Sequence, residues 1–242
     1  MVIIENLIKK ILRIFGIEIK RFSKKIHPLS THDIDLLIDI GANTGQYASI
    51  ARKIGYKKRI ISFEPLIQAH NKLVEISSND PLWEIYKRCA VGSENKKVSI
   101  NISENSYSSS ILEITKSHTD VNEQSKFIGS EEVEVITMDT FFDKYKINEK
   151  KIFIKIDTQG YEEQVLIGFS KNIEKIYAFQ IELSTVELYK NQKIFEFFID
   201  YFSSRNFFLW DIEEGFRNRK TGQILQFDGI FINKKLFNQK LI

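Results

Sequence analysis

A chain of 242 residues, 43% hydrophobic and 28% charged, can bury one large core and is neither disordered nor collagen-like. Its one cysteine, Cys89, excludes a disulfide framework and a cysteine zinc site, and fits a reducing, cytoplasmic compartment. The net charge of +3 is unevenly spread: residues 1–25 hold seven Lys and Arg against two Glu, so the remainder is slightly acidic. That argues against a broad nucleic-acid-binding face.

Residues 1–33 read as a basic N-terminal helix with a connector, and residues 34–242 as the main domain. Ile4, Leu7, Ile8, Ile11, Leu12 and Phe15 recur at helical spacing and make one apolar stripe, with Glu5, Lys9, Lys10 and Arg13 off it. The charges recur too often for a membrane-spanning helix. Two roles fit: peripheral contact with an anionic membrane face, or packing on the domain or on a second copy as a homodimer.

Strands and helices then alternate. Asp35–Ile40 predicts a buried strand, Thr44–Ile54 a helix capped by Thr44, Arg59–Phe63 a strand, Leu66–Ser77 a helix and Trp83–Arg88 a strand. Residues 93–150 interrupt the rhythm as an insert, with a hairpin at Lys97–Ile102, a Ser/Asn-rich loop at Ser103–Ser110, a strand at Val133–Ile136 and a helix at Met138–Tyr145. Alternation resumes with strand Ile152–Asp157, helix Glu162–Phe169, strand Lys175–Glu182, helix Val186–Phe202, and strands Phe207–Asp211 and Gln226–Ile232. The pattern predicts an α/β fold, a mostly parallel sheet with helices on both faces.

Such sheets bind ligands beyond the carboxyl ends of their strands, where strand order reverses. After the first strand stand Asp39, Gly41, Ala42, Asn43 and Gly45; after the second stands Glu64, 23 positions past Gly41. Glycines let the backbone approach a ligand, helix-start N–H groups meet a carboxylate, and a carboxylate about 20 residues on is placed for ribose hydroxyls. The glycines do not spell G-x-G-x-x-G, and Asp39 suits a ligand ammonium, so the pattern fits a nucleoside with an amino acid end. Two rivals remain: an NAD-type oxidoreductase, disfavoured by the missing third glycine, and a non-catalytic domain of the same fold.

The segments DIGANTGQY, ISFEP, CAVG, TMDTF, KIDTQGYEEQVLIG and QIELS resemble, in order, the signatures of FkbM-type S-adenosylmethionine-dependent methyltransferases, from about Leu36 to Ile232. The resemblance implies a Rossmann-like seven-stranded sheet with an antiparallel last strand, and methyl transfer to a hydroxyl, often of a sugar or polyketide. It implies S-adenosylmethionine as cofactor, with Asp39, Gly41, Ala42, Asn43, Gly45 and Glu64 on cofactor positions and Ala90 near the adenine. A small-molecule or glycan acceptor, and no nucleic acid, is the expected partner; an acceptor made at the inner membrane face would give the basic helix an anchoring role there. One departure stands out: the family usually has Glu where this chain has Gln159, between Asp157 and Gly160.

A hydroxyl nucleophile needs a base, and Asp157, ending the fourth strand, is the candidate catalytic residue. Glu182, Gln159, Ser109 of the Ser-rich insert and His118 just after it are candidate acceptor contacts, the insert being a candidate lid; a surface position is the plainer reading of His118. His27, His32, His70 and His118 are scattered without chelating spacing, so no metal is expected. Cys89 reads as a small core residue.

Overall fold

The computed structural model describes residues 27–237 and Leu12. The amphipathic stretch at residues 1–25 lies, Leu12 apart, outside the described residues. Among the described residues ten strands run in chain order: β1 Leu36–Ile40, β2 Arg59–Phe63, β3 Trp83–Ile85, β4 Ala90–Val91, β5 Lys96–Ser103, β6 Phe127–Ile136, β7 Ile152–Ile156, β8 Ile176–Ser184, β9 Phe207–Glu214 and β10 Gln226–Asn233. The helices are α1 Pro28–Thr31, α2 Gln46–Lys53, α3 Ile67–Ser77, α4 Lys116–Val121, α5 Met138–Lys144, α6 Glu162–Ile167 and α7 Phe195–Ser203.

Seven strands form the main sheet in the order β3-β2-β1-β7-β8-β10-β9, parallel except β10, which runs antiparallel to both β8 and β9. Alternate strand residues feed two cores, as period-two geometry requires. Leu36, Ile38 and Ile40 join Phe141, Val165, Leu166, Phe198 and Phe202 on the α5–α7 side. Leu37, Ile60 and Phe153 join Ala48, Ala51 and Leu73 of α2 and α3 on the other. Both faces are therefore covered, and every residue of β1 and β7 is buried. This is the Rossmann-like architecture expected. The chain winds outward from β1 toward β3, then returns to β7, so the order reverses between β1 and β7 and a crevice opens there.

Three local expectations fail for physical reasons. The hairpin at Lys97–Ile102 is instead a single long strand, β5, pairing antiparallel with β6 in a second sheet ordered β4-β6-β5. Val98, Ile100 and Ile102 cannot be covered locally; they pack with Val133, Val135, Leu66 and Ala90. The helix expected at Val186–Phe202 starts only at Phe195. The Gln192 Oε1 accepts the Leu188 and Tyr189 N–H groups at 2.7 and 2.6 Å, and Asn191 takes a left-handed φ of 63°, which together favour a turn. Thr44 is not the cap of α2. Gly45 is, at φ 87° and with no side-chain cap bond.

Phe202 is fully buried and stacks on Phe231 at a centroid distance of 4.2 Å, with Phe179 and Phe207 beside it. Phe202→Ala is expected to cost about 3–5 kcal/mol in denaturant unfolding, because the helix and sheet around it cannot collapse onto the void. A cost below about 1 kcal/mol would contradict this packing.

Candidate functional site

The crevice is a cleft of about 360 Å³, lined on one side by the β1 and β2 ends and on the other by the ends of β7, β8 and β10. Gly41 sits in the turn after β1 at φ 81°, and a Cβ there would lie 1.9 Å from the Asp157 carbonyl oxygen. Only a glycine lets the β1 and β7 ends meet this closely. Gly41 and Ala42 both donate N–H bonds of 3.0 Å to the Phe63 carbonyl, tying the turn to β2. Asn43 follows at φ 48°, a conformation asparagine tolerates, and its N–H donates to Glu64 Oε2 at 2.7 Å. Glu64 Oε1 accepts the Leu66 N–H at 2.9 Å. The Glu64 carboxylate is thus fixed at both oxygens, beside the turn, and burial pushes its pKa up to about 7 despite those bonds.

Asp39 is the last polar residue of β1 and is 1% exposed. Its Oδ2 is buried with no hydrogen-bond partner among the described residues. Burial pushes its pKa up to about 7; Lys155 opposes this, and Asp157 adds to it. A buried carboxylate oxygen without a donor, facing a cleft, is expensive unless a ligand cation meets it. Cys89, Ala90 and Val91 form the apolar wall nearby, and burial pushes the Cys89 thiol up to about 12, so it is an inert neutral group.

The opposite end is polar and crowded with carboxylates. Lys155, 3% exposed near the carboxyl end of β7, donates to Asp228 Oδ1 at 2.6 Å and lies 3.5 Å from Asp157 Oδ2. Burial works against its charge, but Asp228, Asp157 and Glu182 more than compensate and raise its pKa. Gln159 Nε2 donates to Asp157 Oδ1 at 2.7 Å and to Glu182 Oε2 at 2.8 Å, and Gln226 Nε2 donates to the same Glu182 oxygen at 2.7 Å. Among the described residues Lys155 is the only basic side chain lining the cleft, and it is already paired.

Of the residues singled out in the sequence, Asp39, Gly41, Ala42, Asn43, Glu64, Ala90, Asp157, Gln159, Glu182 and Ser109 all line this one cleft. Two do not. Gly45 packs away from it, where a Cβ would strike Trp83 at 2.7 Å, so its glycine serves helix-to-strand packing. His118 is neither a surface residue nor an acceptor contact: it is 3% exposed, edge-on to Tyr189 at 5.2 Å, and bonded to Ser125 Oγ at 3.2 Å. Burial pushes it down to about 4, which keeps the imidazole neutral. Among the described residues no group of three or more His, Cys, Asp or Glu could hold a metal ion. Ser106 and Tyr107 line the cleft within the insert expected as a candidate lid, and Lys155, Asp228 and Tyr47 line it without having been singled out in the sequence. Two of them carried a legible signal, since a Lys inside IFIKI and an Asp inside QFDGIF are charges within apolar strands and imply each other.

A doubly wound sheet with a nucleoside-type cleft at its switch point, and one buried carboxylate oxygen without a donor to meet an ammonium, suits an S-adenosylmethionine-dependent methyltransferase. The chain matches the methyltransferase FkbM domain over residues 39–209, and it belongs to that family. S-adenosylmethionine is its methyl donor. No curated protein sequence matches the chain. Among solved structures it is similar to the fibrillarin pre-rRNA processing protein of Methanococcus jannaschii, at 10% identity and TM-score 0.49 over 87% of this chain and 70% of that one. It is also similar to an rRNA methylase from Streptococcus thermophilus, at 10% identity and TM-score 0.45 over 85% and 91% of the two chains. A third is TrmK of M. capricolum in complex with S-adenosylhomocysteine, at 11% identity and TM-score 0.43 over 91% and 73%.

The residues present fit the cofactor: Asp39 Oδ2 would take its ammonium, Glu64 its ribose hydroxyls, and the Ala90 wall its adenine. Gly41→Ala, which must push the Asp157 carbonyl aside, is expected to weaken S-adenosylhomocysteine binding at least 100-fold in calorimetry while circular dichroism stays folded. Binding within threefold of wild type would exclude the close approach at Gly41 as a constraint on the site. The pH dependence has a definite sign. With a folded pKa of about 7, Asp39 is protonated at pH 6 and cannot pair with an ammonium, so affinity is expected to rise about tenfold from pH 6 to pH 8. The rise levels off as the ligand's own α-ammonium begins to deprotonate near pH 8. Asp39→Asn is expected to remove most of the rise, leaving what the ionisation of Glu64 contributes over the same range; a flat wild-type profile would rule out Asp39 as the ammonium partner.

Proposed function

We propose that the protein methylates a hydroxyl of a neutral or cationic acceptor, a sugar, glycan or similar polyhydroxylated small molecule, with Asp157 as the base. The observation that carries this is the position of Asp157. Its backbone abuts the Gly41 turn, and its carboxylate opens onto the same cleft. The cofactor supplies a methyl group already activated on a positive sulfur. What the chain must add is alignment and a place for the acceptor proton. Asp157 accepts a hydroxyl proton from a position beside the donor turn, with one carboxylate oxygen steadied by Gln159 and the other near Lys155.

Charge supports the acceptor class. A phosphorylated acceptor or an RNA backbone needs cations, and the one described cation of the cleft, Lys155, is held by Asp228 and Asp157. Three carboxyl groups at this end instead suit hydroxyl donors. The insert adds Ser106, Tyr107 and Ser109 to the cleft rim, with Gln46 Nε2 donating to the Tyr107 hydroxyl at 3.2 Å. An aromatic ring 60% exposed at the rim suits the apolar face of a sugar ring.

The decisive experiment incubates the protein with S-adenosylmethionine labelled in the methyl group and with separated glycans, lipids, RNA and proteins. Label entering a glycan or small polyol, as a base-stable ether, is the expected outcome; label in RNA or protein would overturn the acceptor class. Asp157→Asn is expected to lower transfer at least 100-fold while S-adenosylhomocysteine still binds. Transfer within fivefold of wild type would exclude Asp157 as the base.

A further inference from the structure

Gln159 stands where the family usually has a carboxylate, and its surroundings show what the amide does. The residue takes a left-handed φ of 54°, and its backbone carbonyl accepts a 2.7 Å bond from Ser110 Oγ. Its Oε1 accepts from the Tyr189 hydroxyl at 2.8 Å, and the two hydrogens of its Nε2 go to Asp157 Oδ1 and Glu182 Oε2. The reverse orientation of the amide would press its oxygen against two carboxyl oxygens, so the donor side must face them.

An amide nitrogen only donates. Asp157 Oδ1 and Glu182 Oε2 are therefore both acceptors, and Glu182 Oε2 also takes the Gln226 amide. Any proton on Glu182 has to sit on Oε1, the oxygen that accepts none of these bonds. The charges facing Glu182 come from every neighbouring element: Asp157 and Lys155 of β7 and its end, Asp228 of β10, Glu162 of α6, and the Tyr189 phenol before α7. One cation stands among these carboxyls, and it lies against Asp228 and Asp157. Burial first, and then Asp157, raise the Glu182 pKa well above the ordinary carboxylate value.

We propose that Gln159 is a positioning residue that divides two carboxyl groups by role: Asp157 accepts the proton of the reacting hydroxyl, and Glu182 donates a hydrogen bond from Oε1 to a neighbouring acceptor oxygen. The site then selects a vicinal pair of oxygens, as in a 1,2-diol, which deepens the hydroxyl-acceptor reading above and rests on it. In the transfer the hydroxyl oxygen bonds the methyl carbon, and the methyl–sulfur bond breaks with its electron pair staying on sulfur. The hydroxyl proton passes to Asp157 and from there to solvent. A carboxylate at position 159 would destroy the division, because three like charges cannot all ionise there.

The test compares wild type, Q159E and Q159E/E182Q by thermal unfolding between pH 5 and pH 9. The added carboxyl has a folded pKa above its unfolded one, so the fold favours its protonated form and loses stability as pH rises. Q159E is expected to melt at least 4 °C below wild type at pH 8 and to converge with it at pH 5, and the double variant, in which a neutral amide replaces the protonated Glu182, to keep that pH dependence; its loss would show Glu182 ionised and overturn the division of roles. A Q159E protein that is unfolded at pH 8 and folded at pH 5 is the same result at greater amplitude. A gap that is absent, or constant across pH, overturns the charge role. With the acceptor that takes the methyl label, the Q159E rate profile is expected to move at least one pH unit alkaline, and removal of the neighbouring hydroxyl to cost wild type at least tenfold in kcat/KM. An unmoved profile overturns the positioning role, and a loss under twofold overturns the vicinal pair. Wild-type binding of S-adenosylhomocysteine separates the failures: without it the cofactor cleft fails, and with it only the step concerned fails.

Discussion

A lysine 3% exposed in the central strand of the sheet is tolerable only if countercharges reach its ammonium, and Lys155 sets that demand at the heart of the fold. Asp228 meets it from β10 at 2.6 Å and Asp157 from the next turn of its own chain. For Asp228 to arrive there, β10 has to insert between β8 and β9 in antiparallel register, with Asp228 opposite Glu182 and Ile230 opposite Gln180. Removing Asp228 would take the closest countercharge from a buried ammonium and leave Asp157, 3.5 Å away, as the nearest one. The pair thereby ties the last strand to the middle of the sheet and fixes the floor of the acceptor end.

The same row of the sheet explains why the cleft is polar on one side. Ser62, Asp39, Lys155 and Gln180 are register partners across β2, β1, β7 and β8, two residues C-terminal to the apolar row of Ile60, Leu37, Phe153 and Ala178 and so on the same face. Each strand therefore ends its buried face on a polar residue, just where α2 begins. Gly45 caps that helix without a side-chain bond, and the Ala48 N–H in its first turn donates to the Asp39 carboxylate instead. The Tyr47 hydroxyl reaches down from α2 to Gln180 at 2.6 Å and closes the row from above. The ring of Tyr47 lies 5.8 Å from the Lys155 ammonium, a further share of its compensation.

Legibility in the sequence followed contiguity. The cofactor half comes from short stretches around Asp39–Gly45 and at Glu64, whose strand–turn–helix chemistry is local, and these could be read without knowing the fold. The acceptor half is assembled from residues far apart in the chain: Asp157 and Gln159, then Glu182, then Tyr189, then Gln226 and Asp228. Its pairings depend on β10 reversing direction, which no local pattern encodes. His118 shows the converse. It lies near the Ser-rich insert in sequence, but α4 turns it inward against Tyr189 and Phe216 and away from the cleft. Gly45 was legible as a glycine the fold needs, while its reason, the indole of Trp83 pressing on the helix start, required the packing of β3.

Position 159 joins the two halves. Its left-handed backbone directs the side chain between Asp157 and Glu182 while Gly160, at φ 94° and packed against Tyr189, lets the chain turn into α6. Glu162 then closes the turn, its Oε1 accepting the Thr158 and Gly160 N–H groups at 2.9 and 3.1 Å. A carboxylate already serves the backbone here, two more face the cleft, and the local cation is occupied. In that setting the difference between Glu and Gln is one of total charge rather than shape. An amide bridges the carboxyls where a fourth carboxylate would repel them, so the departure from the family pattern fits the charge that the rest of this site already carries.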